Sequence, residues 1–276
     1  MSTARRGRRW LRWPTRAARR RWLRWARRAP VALQVLLAVL GAAAAALAVN
    51  AIYQIGRKPT ELFFPVSGVL MKSPQESWRA YGTAFRRFAT PAVPPELLAA
   101  LAQVEGAGNP LVRTYWRWAW GMKPFELYRP ASSAVGMCQI TDGTFAEARH
   151  YCIHHHALTQ EGRWDDWGSC WFNSLYLRVV PRDAIELTAA YLDLKVNAIL
   201  AQDPHHTASA LQRQHLAAVV HLCGAAAGAS YARRGFRFAE GQRCGAHDPR
   251  EYLQRVDEMR AVFNRLAQSD AQDPRG

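Results

Sequence analysis

Residues Pro94–Pro110 read PPELLAALAQVEGAGNP. A helix starts readily at Pro94-Pro95, because the first turn has no use for the missing N–H. Gly106, Gly108 and Pro110 stop it, which places Glu105 in its last turn. Leu98, Leu101 and Ala102 precede Glu105 by seven, four and three positions, so the carboxylate shares their apolar face. Partial desolvation and the negative end of the helix dipole both disfavour its charge there. A general acid working near neutral pH needs this combination. Taken alone, the pattern serves equally well for a glutamate that caps the helix or pairs with an arginine.

Working outward, the chain after Pro94 is dominated by helical periodicity. TDGTFAEARHYC (141–152), ELTAAYLDLKVNAILA (186–201), ALQRQHLAAVVHLC (210–223) and DPREYLQRVDEMRAVFNRLA (248–267) all space apolar residues by three and four. Thr141, Asp183 and Asp248-Pro249 supply helix starts. No run alternates long enough to read as a sustained strand, so the class is mainly α, with at most a small hairpin. Residues 56–93 are punctuated by Pro59, Pro65, Pro74 and Pro91. They read as a juxtamembrane segment with one short helix from Glu76 to Phe88, packed onto a domain of residues 94–267. The polar end QSDAQDPRG (268–276) reads as frayed.

The N-terminal part has a different character. The chain of 276 residues carries a net charge of +16, yet twelve arginines and no acid fall within residues 1–28, leaving +4 for the rest. The basicity belongs to a tail, not to a folded surface, so nucleic acid is not an expected partner. At 49% hydrophobic and 21% charged, the remainder is too apolar for a disordered protein. Residues 31–49, VALQVLLAVLGAAAAALAV, rise about 28 Å as a helix and match the apolar thickness of a bilayer. We read residues 29–55 as a single transmembrane anchor. With the arginines on the cytoplasmic side, everything that follows is exported, into the periplasm of a cell with an inner membrane. A cleaved signal peptide ending near Ala46-Leu47-Ala48 is the competing reading, and it exports the same part. The tail repeats Arg-Trp-Leu-Arg-Trp at 9–13 and 21–25, a composition suited to anionic lipid at the inner membrane.

All five cysteines lie in the exported part, where disulfides persist. The expected pairs are Cys152 with Cys170 and Cys223 with Cys244, each closing a loop of about twenty residues worth roughly 3 kcal/mol. Cys138 is then the spare thiol. His154, His155 and His156 near Cys152 and Cys170 suggest zinc, but adjacent histidines cannot all face one ion, so no metal is expected.

ASSAVGMCQITDGTF (131–145), taken with VEGAGNP upstream, resembles the lytic transglycosylases of the soluble type, whose catalytic domain is lysozyme-like (goose-type). In that family a helix-end glutamate in an E-S-x-x-N-P context is followed by G-A-x-G-L-M-Q-I-x-P-x-T. Glu105, Asn109 and Pro110 match the first motif, and Ala134, Gly136, Gln139, Ile140 and Thr144 match the second. The family's A-Y-N-A-G helix end aligns with Val220-His221-Leu222-Cys223-Gly224, and the match spans roughly residues 94–265. The chain departs from the pattern at Gly106 (serine in the family), at Cys138 (methionine), and at His221 and Leu222 (tyrosine and asparagine).

The resemblance implies a lysozyme-like domain behind a single N-terminal anchor and, without any cofactor, cleavage of the β-1,4 bond between N-acetylmuramic acid and N-acetylglucosamine. Glu105 would act first as acid on the glycosidic oxygen, helped by the substrate acetamido group, and then as base on the muramyl C6 hydroxyl, which closes a 1,6-anhydro ring. It also implies that Ser132, Ser133, Met137, Gln139, Tyr191 and His221 bind substrate, that His221 hydrogen-bonds to Glu105 or to an N-acetyl group, and that the partner is a peptidoglycan strand, within a cell-wall or secretion machinery. The insert LVRTYWRWAWGMKPFELYRP (111–130) adds rings, Tyr115, Trp116, Trp118, Trp120, Phe125 and Tyr128, able to stack on sugar or pack the insert onto the domain. Its arginines 113, 117 and 129 suit substrate carboxylates. Two other readings stay open. One is a muramidase using water and a second carboxylate such as Glu126, Asp142 or Asp166; the other is a peptidoglycan-binding scaffold without turnover.

Overall fold

The computed structural model describes residues 29–63, 67–119, 124–166, 169–202 and 207–272. The Arg/Trp tail (1–28) and Trp120 lie outside the described residues. The helices are α1 (Val31–Arg57), α2 (Pro74–Phe88), α3 (Pro95–Gly106), α4 (Asp142–Ala148), α5 (Pro181–Leu200), α6 (Ala210–Cys223), α7 (Ala225–Arg233) and α8 (Pro249–Gln272). Strands β1 (Trp116–Trp118) and β2 (Tyr128–Pro130) form one short ribbon, and β3 (Tyr151–His154) and β4 (Ala157–Gln160) another. The protein is therefore mainly helical, as the periodicity predicts. The chain divides into two units, residues 1–54 with 118–129, and residues 55–117 with 130–276.

The first unit is built on α1. Its 27 residues rise about 40 Å, and by length and composition it can cross a membrane. Near its C-terminal end Asn50 and Gln54 are buried, unlike the rest of the helix. Asn50 Nδ2 donates to the Tyr128 carbonyl (2.5 Å) and Gln54 Nε2 to that of Phe125 (2.8 Å). Tyr53 and Phe125 meet at 5.4 Å between ring centroids, and Trp118 and Tyr128 at 4.9 Å. The insert was expected within the domain of residues 94–267; its central part belongs instead with the apolar helix.

The second unit is wrapped around α3. Every residue from Leu97 to Ala102 is buried, so this helix is covered on all sides. α2, α5 and α8 pack against it. α2 is longer than Glu76–Phe88 because Ser73 closes a capping box with Glu76 and Pro74 occupies the first turn. Its Trp78, Phe85 and Phe88 enter the same core, so residues 56–93 contribute to the domain as well as lying on it. The juxtamembrane chain is tied down by a nearly buried ion pair, Lys58 with Glu61 (3.2 Å), and Glu61 also accepts from Trp116 Nε1 (2.8 Å).

Three further boundaries differ from the sequence expectation. TDGTFAEARHYC is helical only to Ala148; Tyr151–His154 is a strand, paired antiparallel with Ala157–Gln160. His155 and His156 take φ +48° and +63°, the left-handed pair that a two-residue hairpin turn requires. α5 begins at Pro181, with Asp183 in its first turn accepting from the Leu177 N–H (3.1 Å). The C-terminus is not frayed at residue 268: α8 runs to Gln272, and Asp270 accepts from Trp78 Nε1 (2.7 Å).

Cys152 is bonded to Cys170 and Cys223 to Cys244, with Cα separations of 5.5 and 5.2 Å. Cys138 is free and buried. Cys152, His154 and Cys170 bring their ligand atoms within 4.8 Å of one another, but two of the three are spent in the disulfide.

Candidate active site

α3 ends because Ala107 and Gly108 enter the left-handed region (φ 47° and 62°), their N–H groups turning back to the Gln103 and Ala102 carbonyls. Gly108 must be glycine, since a Cβ there would lie 2.2 Å from Ser77 Oγ. Asn109 is buried and pins the exit, donating to Ser67 O (2.5 Å) and accepting from the Leu111 N–H (2.8 Å). Glu105 is thereby held at the end of a rigid central helix, with 19% of its side chain exposed.

The 131–145 loop is pressed against this helix end. A Cβ on Gly106 would come within 2.8 Å of Met137 O and 2.9 Å of Met137 Cα. Glycine at this position therefore has a steric reason: two backbones touch there. The loop is held from its other side by Arg178, which donates to Ile140 O (2.8 Å) and Ser133 O (3.1 Å) and pairs with Asp142 (2.8 Å). Gly136 (φ 78°) fits under it only because it has no Cβ, which would meet Arg178 O at 2.1 Å. Gln139 takes φ 47°, and both its N–H and its side-chain amide donate to Gly136 O.

Three further groups surround the Glu105 carboxylate. The Tyr252 hydroxyl, on α8, donates to Glu105 Oε1 at 2.6 Å. His221 Nε2, on α6, stands 3.8 Å from the same oxygen, too far for a hydrogen bond. Cys138 is fully buried, its thiol meeting the Thr188 side chain. Burial holds His221 below the usual histidine range, against the opposing pull of the Glu105 charge, so the imidazole is mainly neutral at pH 7. Tyr252 is held well above the ordinary phenol value by burial and then by the Glu105 charge, and remains a donor. Burial pushes the Cys138 thiol up to about 12, which removes its thiolate chemistry.

No protein-family model and no curated protein matches the chain.

The other expected site residues are distributed unevenly. Met137 is entirely buried, so its side chain is core and only its backbone borders the helix end. Ser132 Oγ accepts from the Ala134 N–H (3.0 Å) and Ser133 Oγ from the Asp142 N–H (3.2 Å), so both hydroxyls brace the loop. Tyr191 is half-buried on α5, with Lys195 Nζ 5.5 Å from its ring centroid. Tyr115 is exposed and Trp116 is bonded to Glu61, both in the second unit; Trp118 and Tyr128 belong to the first. Tyr252 was missed in the sequence reading. Its only signal was a tyrosine among the apolar positions of the last helix, with Leu253, Val256 and Phe263.

Proposed function

We propose that the chain is a membrane-anchored peptidoglycan lytic transglycosylase of lysozyme-like fold, with its N-terminus in the cytoplasm and its second unit in the periplasm. The observation that carries this reading is a single carboxylate at the end of a buried helix, with the second motif's backbone against it and a phenol on one oxygen. This matches the demand of a mechanism in which one group serves as acid and then as base. The Tyr252 hydroxyl orients Glu105 through Oε1 and leaves Oε2 for the glycosidic oxygen. The substrate acetamido group assists departure, and the muramyl C6 hydroxyl then loses its proton to Glu105 as the anhydro ring closes.

The candidates for a second carboxylate are engaged elsewhere or exposed. Asp142 is committed to Arg178, Glu126 pairs with Arg129 in the first unit, and Asp166 is exposed. This favours the one-carboxylate route over a water-using muramidase. The test is digestion of purified sacculi with the protein and with Glu105→Gln, read by mass spectrometry. Anhydro-muramyl ends, one water lighter than hydrolysed ends, are expected from the native chain and absent from the variant. Reducing ends alone would assign a muramidase, and equal release by both proteins would take Glu105 out of the chemistry.

A further inference from the structure

Trp118, Phe125 and Tyr53 are each more than 40% exposed, yet they cluster with Tyr128 about one short stretch of α1. The apolar run of α1 ends at Val49, about 28 Å from its start, close to the roughly 30 Å of a bilayer core. Asn50 and Gln54 follow within about 8 Å along the axis, the depth of a headgroup layer. Those two side chains hold the insert, through the Tyr128 and Phe125 carbonyls. Two backbone acceptors of the insert are thus supplied with donors from the helix itself. The rings beside them have the amphipathic character that places Trp and Tyr at membrane interfaces.

We propose that this insert is a membrane-surface anchor: Tyr53, Trp118, Phe125 and Tyr128 form an aromatic collar seated among the lipid headgroups of the leaflet at the C-terminal end of α1. The proposal rests on the reading that α1 crosses the bilayer. It reassigns Trp118 and Tyr128 from sugar to lipid. Continuity with the apolar helix is what selects lipid as the occupant: the collar begins at the residue where the apolar run stops.

The test uses the full chain in phosphatidylethanolamine–phosphatidylglycerol vesicles, with a nitroxide on one introduced thiol at a time: Trp118→Cys, Phe125→Cys, Ala44→Cys within the span, or Glu258→Cys on the exposed face of α8. Native Cys138 is buried and does not compete for label. Accessibility to oxygen and to a nickel chelate reports depth. The expected result is deep burial at position 44, water at 258, and chelate accessibility at 118 and 125 several-fold below that at 258. Positions 118 and 125 as open to the chelate as 258, with 44 deep, would overturn the collar and leave the anchor standing. Position 44 open to the chelate would overturn both. Spin–spin broadening at 125 that vanishes on dilution with unlabelled chain would give the surface to a second copy instead.

Discussion

At the Glu105 carboxylate, one oxygen has a phenol at 2.6 Å and, among the described residues, the other has no such anchor, so on the proposed function Tyr252 is a positioning residue. Tyr252→Phe keeps the ring and its packing and removes only the donor. Turnover on sacculi is expected to fall about 10–100-fold with KM nearly unchanged, since a charge-assisted hydrogen bond is worth about 1.5–3 kcal/mol. An equal loss in KM would mark Tyr252 as a substrate contact. His221 predicts a pH effect on stability. Its folded-state pKa lies below the unfolded value of about 6.5, so below that pH the unfolded chain binds the extra proton and stability drops. The slope is at most about 1.4 kcal/mol per pH unit. Urea midpoints at pH 7.5 and 5.5 should separate more for the native chain than for His221→Gln, and equal separations would contradict the buried neutral imidazole. The helix-end position of Glu105 was legible from spacing alone. Its partner was not, because Tyr252 lies 147 positions away and only packing of α8 on α3 brings the two together.

The link between α3 and the following loop depends on a single missing Cβ. Gly106→Ala sets a methyl 2.8 Å from a backbone oxygen that cannot swing aside, and overpacking of this kind costs about 1–3 kcal/mol. Gly143→Ala is the matched control: it lies in helix α4 with nothing within 4 Å of the added Cβ, and should stabilise by about 0.4–1 kcal/mol. Chemical unfolding of the two variants checks both signs. Among the elements, ALQRQHLAAVVHLC was legible to the residue, because Ser209 caps it with Gln212 and Gly224 ends it. The hairpin after α4 was not. Its strands are only four residues long, and its turn uses His155 and His156 where Asn-Gly would have announced it. The cysteine pairing was legible because short loops between consecutive cysteines close at low entropy cost.

At the scale of the whole molecule, the buried hydrophobic cluster of the second unit runs from Trp78 to Phe263. Both disulfides lie inside it in sequence, and the charge left after residue 54 is only +4. Residues 56–276 are therefore expected to be soluble, to unfold cooperatively and, on the proposed function, to act on free sacculi as well as the full chain. The insert should behave differently. Without Asn50 and Gln54 the carbonyls at 125 and 128 lose their donors and Phe125 loses the Tyr53 ring, while the rest of the domain keeps its core. Trypsin should then cleave the truncated protein early after Arg129 and leave the remainder intact, whereas the full chain in vesicles resists at the same site. The grouping of the insert with α1 was invisible in the sequence, because it is made by two side-chain amides reaching 78 and 71 positions along the chain. Equal resistance at Arg129 in both forms would show that the insert is held by the domain itself, and would remove α1 as its support.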